Sequence, residues 1–383
     1  RAALFEGTFR KYHGMKDAEK YLTACAEYGK AFIDGAPFSL YNTGATPYRD
    51  LFSSVDAKTQ EVVLCRHYDM QFGVVHGLGN QVTFSRSSLT RRFVNHYLMA
   101  DGTRFTDKPG WETMFYTDEV KDRDPRLAQT VLCPGYVQVG ASAVTPCEFY
   151  SWTGYEPIKH VPAAERCVSS SDDTDWILLR AAEVYLNFAE AKAELGTLTQ
   201  NDLDVSVNKI RARAKMPSLN LTAANDSPDP YMIECYPNVD KGGNRGVILE
   251  IRRERTVELA LEEPERVWDM FRWAEAKQCL QHYVPWYGVY IPALGAYDTT
   301  GDGKADVEFV KTSSGAVKIK VGTKMQDVVL SNGDSGYIVS YSTTDYGYLW
   351  DDSRDYLWPI PAKERTLNPN LSQNEGYVDG VES

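Results

Sequence analysis

Apolar residues recur at helical spacing in three widely separated stretches, and the pattern dissolves between them. Ala2, Phe5, Phe9 and Tyr12 fall three or four apart and Gly14 stops the run, which predicts a first helix. A second is predicted over about residues 17–32, closed by Asp34-Gly35, so the chain opens on a helix–turn–helix pair. From Asp175 the pattern returns. Leu178, Ala182, Tyr185, Ala189 and Ala193 make one stripe that ends at Gly196, and the alanines leave room for a close neighbour. Thr199 with Asp202 reads as a capping box, with Asp in place of the usual Glu or Gln. Leu203, Val207, Ile210 and Ala214 then carry a second stripe, which ends before Pro217. A further helix is predicted over residues 247–262, interrupted by Pro264.

Between these stretches Gly, Pro, Ser and aromatics alternate. Residues 38–174 predict long ordered loops with short strand-like pieces at 131–132 and 136–139. Within 285–350 a hairpin is expected: Val307 and Phe309 alternate on one arm, Val317, Ile319 and Val321 on the other, with Ser313-Ser314-Gly315 between. The fold this predicts is mostly α, a tetratricopeptide-like helical scaffold with a loop-rich lobe carrying short strands and a hairpin. Its parts are a helix pair over 1–37, a loop-rich ligand lobe over 38–174, helical scaffold over 175–284, a loop and hairpin insertion over 285–350, and a C-terminal segment over 351–383.

Charge narrows the partners. The 383 residues carry a formal net charge of −12, which argues against nucleic acid and against docking on anionic lipid through the protein surface. It suits a neutral ligand. The charge-free stretch 127–147 is broken by Pro134, Gly135, Gly140 and Pro146, so it cannot span a bilayer as a helix. Seven cysteines are scattered singly, without metal-ligand spacing. Cys133 and Cys147 flank a loop and could bridge, or all could be buried thiols. No H-x-x-x-H or H-E-x-x-H spacing, G-x-S-x-G elbow or P-loop is present, so enzymatic readings have no specific motif.

Three segments resemble the hallmarks of the SusD/RagB family. They are Leu179-Arg180-Ala181-Ala182-Glu183-Val184 continuing to Ala189-Glu190-Ala191; Ile251 to Ala260 followed by Arg266-Val267-Trp268-Asp269 and Arg272-Trp273; and Leu357-Trp358-Pro359-Ile360-Pro361 followed by Asn368 to Tyr377. Weaker likenesses lie at Met99-Ala100-Asp101-Gly102, Arg123-Asp124-Pro125-Arg126 and Thr153-Gly154-Tyr155, so the resemblance spans the chain. Glu263-Pro264-Glu265 departs from the family's pattern, which implies a local change in a turn. The resemblance implies a non-catalytic cell-surface lipoprotein of the outer membrane. It would capture a glycan or other nutrient and deliver it to a SusC-like TonB-dependent transporter, touching the membrane only through an N-terminal lipid anchor not present in this chain. It also implies roughly 150 residues and a lipoprotein signal ahead of Arg1, so an earlier segment is expected to cover the apolar face of the first helices. A tetratricopeptide-type peptide-binding module and a glycan-processing enzyme are the rival functions.

The residues themselves offer three chemical candidates. Glu254, Glu258 and Glu262, four apart, could be paired acid–base carboxylates, but a charged helix face is the simpler reading, with Arg255 pairing Glu258 and with Arg252, Arg253 and Arg266 as further partners. Glu183 and Glu190 likewise read as partly buried carboxylates tying adjacent helices. No cofactor is required, but calcium is possible at Asp298, Thr300, Asp302, Lys304 (through its carbonyl) and Asp306 around Gly303, although Phe309 rather than Glu stands at the twelfth position. A ligand platform is expected from loop aromatics, since sugars stack their C–H faces on indole and phenol rings. The candidates are Trp111, Tyr116 and Trp152 in the middle loops and Trp286, Tyr287 and Tyr290 in a loop marked by Pro285, Gly288 and Pro292. Tyr185, Phe188, Trp268 and Trp273 are assigned to the core, and Tyr155 to structure.

Overall fold

The computed structural model of the chain describes residues 1–262, 265–280, 286–340 and 350–380. Pro264, Pro285 and His282 fall outside these residues, and with Pro264 the centre of the Glu263-Pro264-Glu265 turn. The opening pair forms as expected: α1 (Ala2–Tyr12) and α2 (Ala18–Gly35) pack against each other, and α2 lies along the helix Ala181–Glu194. Ala182, Tyr185, Ala189 and Ala193 are buried in one core with Ile210 and Ile251, while Ala191 and Phe188 meet α2 at Cys25, Ala26 and Gly29. Among the described residues no helix is long and apolar enough to cross a membrane.

The helix expected from Asp175 starts later. Trp176–Arg180 is a strand (β2) that pairs antiparallel with β1 (Val62–Arg66), with Val62 opposite Arg180 and Arg66 opposite Trp176. Leu178 is therefore 41% exposed instead of joining the helical stripe. The run Trp-Ile-Leu-Leu favours a strand as readily as a helix, and a distant partner strand decides. Thr199 and Asp202 do make the capping box, Asp202 N donating to Thr199 Oγ1 at 3.2 Å and Thr199 N to Asp202 Oδ2 at 2.9 Å. The helix behind it is split into Gln200–Asp204 and Val207–Arg213, because Ser206 leaves helical backbone geometry.

The lobe is built from short helical turns and a few strands. The expected strand at 136–139 does not form, while Val131 makes a single bridge to Pro157. The hairpin forms as β5 (Val307–Lys311) against β6 (Val317–Val321), with Phe309 opposite Ile319. It belongs to a four-stranded antiparallel sheet with β4 (Gly295–Tyr297) and β7 (Lys324–Val328) at its edges. A separate pair joins β3 (Tyr287–Ile291) to β8 (Gly336–Val339). Leu89, Val94, Tyr116, Phe149 and Tyr155 from the loops share one core with Val289, Phe309, Ile319 and Ile338 from the strands. A second core, with Ala189, Ile210, Ile251 and Trp273, holds the scaffold.

The charged helix Arg245–Glu258 is not a solvated face. Arg252, Arg253, Glu254, Arg255 and Glu258 are all buried, and apart from the Arg253–Glu250 pair within the helix their ion-pair partners come from other elements. Glu258 accepts from Arg180 at 2.6 Å, from Arg126 at 3.0 Å and from Arg213. Arg255 does not pair Glu258. It donates to Asn187 at 2.7 Å and to Asp269 at 3.2 Å. Glu190 takes Trp273 Nε1 at 2.7 Å and both terminal nitrogens of Arg272, tying two helices as expected of it. Trp273 is buried, but Trp268 is 36% exposed rather than core. It lines a groove of about 340 Å³ with Phe5, Phe9, Phe271, Leu357 and Trp358.

This network sets the pH dependence of stability. Burial would raise the Glu258 carboxyl, but Arg213, Arg180 and Arg126 outweigh it and hold it well below the usual carboxylate range. Glu190, Asp269 and Glu262 shift the same way: in each, burial is overcome by neighbouring cations. A carboxyl lowered in the folded state contributes stability above its unfolded value and loses it as pH falls. Glu275 has the opposite sign. Burial raises it to about 7, with Arg252 offsetting part, so its contribution is lost as pH rises through about 7. The urea midpoint is therefore expected to drop steeply as pH falls below about 4, while between about pH 5 and 7 the loss from Glu275 is opposed by His96 and His160, whose imidazoles burial lowers and which favour the folded state as pH rises toward 7. A midpoint that stays flat from pH 6 to 3 would show that the network is not the source of stability.

Candidate functional site

The Thr153-Gly154 turn and β3 cross in van der Waals contact. Val289 N donates to Thr153 O at 2.8 Å, and a Cβ on Gly288 would sit 1.9 Å from that same oxygen. On the other side Gly154 has φ +84° and Val289 packs directly beneath it. Trp152 N donates to Ser88 Oγ at 2.7 Å and Thr153 Oγ1 to the Leu89 carbonyl, which pins the Trp152 loop to the segment before Arg91. Ser340 N donates to Trp286 O at 3.1 Å at the end of β8.

This crossing brings Trp152 and Trp286 from segments more than a hundred residues apart into one pocket of about 270 Å³. Ser87, Ser88, Thr90 and Ser340 supply hydroxyls around it, and Arg86 stands at its edge. Trp152 is 54% exposed, with the Arg86 guanidinium 4.0 Å from its ring centroid. Two indoles with a hydroxyl-bearing rim can hold a flat, hydroxylated ligand by stacking and edge hydrogen bonds.

The other candidates are placed differently. In β3 a register irregularity between Tyr287 and Tyr290 lets both rings meet Tyr337 of β8, at 5.0 and 5.3 Å. Tyr337 Oη donates to the Glu112 carbonyl at 2.7 Å, which places Trp111 beside the same group. Arg91 lies between, 5.9 Å from the Trp111 ring and 5.0 Å from Tyr337, and donates to the Trp111 carbonyl at 2.7 Å. Trp111 is half-buried, edge-on to Phe105 and Tyr231. Tyr116 cannot be a platform. It is fully buried in the lobe core and its hydroxyl donates to the Leu132 carbonyl. Its segment reads as loop, yet Tyr116–Glu119 is a short helix packed under the sheet. Tyr155 is structural, its hydroxyl donating to Glu119 at 2.8 and 2.9 Å. Burial raises the Glu119 carboxyl, which Arg91 partly counters.

Sequence reasoning missed Arg86, Ser88 and Tyr337. Tyr337 could have been found from the alternation Gly-Tyr-Ile-Val of β8, but Arg86 and Ser88 carry no local signal.

The 298–306 loop turns its carboxylates on its own backbone. Asp298 accepts from Gly301 N at 2.6 Å, Gly303 N at 2.7 Å and Thr300 N at 3.1 Å. Asp306 accepts from Thr299 and Thr300, and Asp302 from Lys304 N. The backbone donors of Gly303 and Gly301 lower the Asp298 carboxyl. Among the described residues no group of three or more His, Cys, Asp or Glu side chains is arranged to hold a metal. At the positions named for calcium, the oxygens of Asp298, Asp302 and Asp306 make turn-closing hydrogen bonds to the loop's own backbone. Cys133 and Cys147 do not bridge either. All seven cysteines are free thiols, and burial pushes Cys133 up to about 12.

Compared with known families, residues 50–377 match the sequence model of the SusD family. The chain belongs to the SusD family. Comparison with curated proteins returns no match. Among solved structures, a SusD-like protein from Bacteroides fragilis NCTC 9343 superposes with a TM-score of 0.57 at 20% identity, over 98% of this chain and 63% of its own. A SusD-like carbohydrate binding protein from the same organism gives 0.53 at 20% identity, over 92% of this chain and 64% of its own. This SusD-family chain therefore spans less than two thirds of the length of both, and the likeness establishes the mostly α, tetratricopeptide-like fold.

Proposed function

We propose that the chain is a glycan-binding protein whose ligand seats in the pocket between Trp152 and Trp286. The observation that carries this reading is the convergence of two loop indoles, one of them 54% exposed, on a single pocket with a hydroxyl rim. One structural neighbour is described as a carbohydrate binding protein, which agrees with it. In this reading the protein sits at the outer-membrane surface and hands its ligand to a SusC-like TonB-dependent transporter. Support for that step is membership of the SusD family.

The rival reading as a glycan-processing enzyme would need free carboxylates. Glu254, Glu258 and Glu262 are each bonded to arginine or lysine, Glu262 to Arg180 and Lys159 at 2.8 and 2.7 Å. The rival tetratricopeptide-type module would bind on a helical surface, whereas the paired indoles lie on the loop lobe.

Affinity electrophoresis against a panel of soluble polysaccharides tests the proposal. Trp152→Ala and Trp286→Ala are each expected to weaken retention of the best polymer about tenfold, roughly the worth of one stacked ring. The Tm of Trp152→Ala should stay within about a degree, because that side chain is largely solvated. Retention unaltered in the double variant would move the site elsewhere.

A further inference from the structure

Arg86, like Arg49 and Arg66, pairs with no carboxylate among the described residues, but it stands at the edge of the Trp152–Trp286 pocket. Arg126, Arg180, Arg213, Arg253, Arg255 and Arg272 are each sequestered against carboxylates in the interior. Arg86 is only half-buried. Its Nε donates to the Tyr150 carbonyl at 3.0 Å. That bond, with the Trp152 ring at 4.0 Å and the Tyr150 ring at 5.2 Å, orients the guanidinium and leaves both terminal nitrogens without a partner among the described residues. Its backbone is left-handed, φ +59°, and Ser88 Oγ donates to its carbonyl at 2.8 Å. A strained residue held by its neighbours is positioned rather than merely tolerated.

No carboxylate lines this pocket among the described residues, although the chain as a whole carries −12. A guanidinium with two parallel N–H groups matches the geometry of carboxylate or sulfate, and the hydroxyls of Ser87, Thr90 and Ser340 flank the same space, while the Ser88 proton stays on the Arg86 carbonyl. Repulsion from the rest of the acidic surface is screened over about 8–10 Å at physiological salt, whereas this contact is direct.

We infer that the Trp152–Trp286 pocket selects glycans bearing an anionic group, carboxylate or sulfate, and that the Arg86 guanidinium reads that group. The inference rests on the glycan-binding reading above and narrows its ligand class.

The test runs affinity electrophoresis with polygalacturonate, alginate, hyaluronan, chondroitin sulfate and fucoidan against galactan, xylan, xyloglucan, mannan and dextran. At least one acidic polymer is expected to be retained. Carboxyl reduction or desulfation of that polymer should weaken it about tenfold, the worth of one charge-assisted contact. Arg86→Asn, which tolerates left-handed backbone, should cause the same loss, and Arg86→Lys should recover part of it. The carboxylate and sulfate arms separate the two sources of negative charge. Failure to retain any acidic polymer, or retention that survives Arg86→Asn, overturns the inference. Retention of neutral polymers alone, lost in Trp152→Ala, would leave the glycan-binding reading standing and remove this one. Retention indifferent to Trp152→Ala would remove the site itself.

Discussion

Glu258→Ala is expected to lower the free energy of unfolding by about 3–5 kcal/mol, measured by urea titration at pH 7. The carboxylate is buried and is shared by Arg126 from the loop lobe, Arg180 from β2 and Arg213 from the helix Val207–Arg213. Removing it leaves these guanidinium groups facing one another in the interior with Glu61, Asp124, Glu254 and Glu262 as their remaining acids. The loss should far exceed that of Glu19→Ala, an exposed glutamate on α2, which is expected to change stability by under about 0.5 kcal/mol. Since folded domains hold about 5–15 kcal/mol in total, Glu258→Ala recovered largely unfolded, with a collapsed far-UV circular dichroism signal, would count as the same result. Equal midpoints for the two variants would show that the network contributes no stability.

Gly288→Ala should abolish ligand retention while leaving the scaffold helices intact. The new methyl would lie 1.9 Å from Thr153 O and 2.5 Å from Thr153 C, backbone atoms that cannot swing aside. The Thr153 turn and β3 must then separate, breaking the Val289 N bond to Thr153 O and parting Trp152 from Trp286. Overpacking of this kind costs about 1–3 kcal/mol or more. We expect a loss of retention of at least about tenfold, since both rings are displaced. Gly243→Ala is the control, because a Cβ there meets nothing within 4 Å. Retention by Gly288→Ala equal to that of the control would show that the crossing does not build the site.

Periodicity was a sound guide where contacts are local. α1, α2, the alanine stripe, the Thr199–Asp202 capping box and the β5–β6 hairpin are all set by residues within a few positions of one another. It failed where a distant partner intervened. Trp176–Arg180 reads as helix and pairs as strand because β1 lies more than a hundred residues earlier. The helix Arg245–Glu258 reads as a charged surface, because sequence shows the charges and not the arginines that reach them from Arg126, Arg180 and Arg213.

The amino-acid sequence by itself determined the helical scaffold, the loop-rich lobe, the hairpin and, through three ordered motifs, the SusD family. These follow from the spacing of side chains along the chain, which local geometry converts directly into faces and turns. It also named the aromatic residues from which a platform could come. Only the tertiary structure decided among them. Tyr116 went to the core, while Trp111, Tyr287 and Tyr290 gathered about Arg91 and Tyr337. Trp152 and Trp286 met across the contact of Gly288 with Thr153, beside an arginine that no motif marks. Exposure and proximity between loops depend on how the chain crosses itself, and that crossing is closed by backbone contacts to which side-chain periodicity gives no clue.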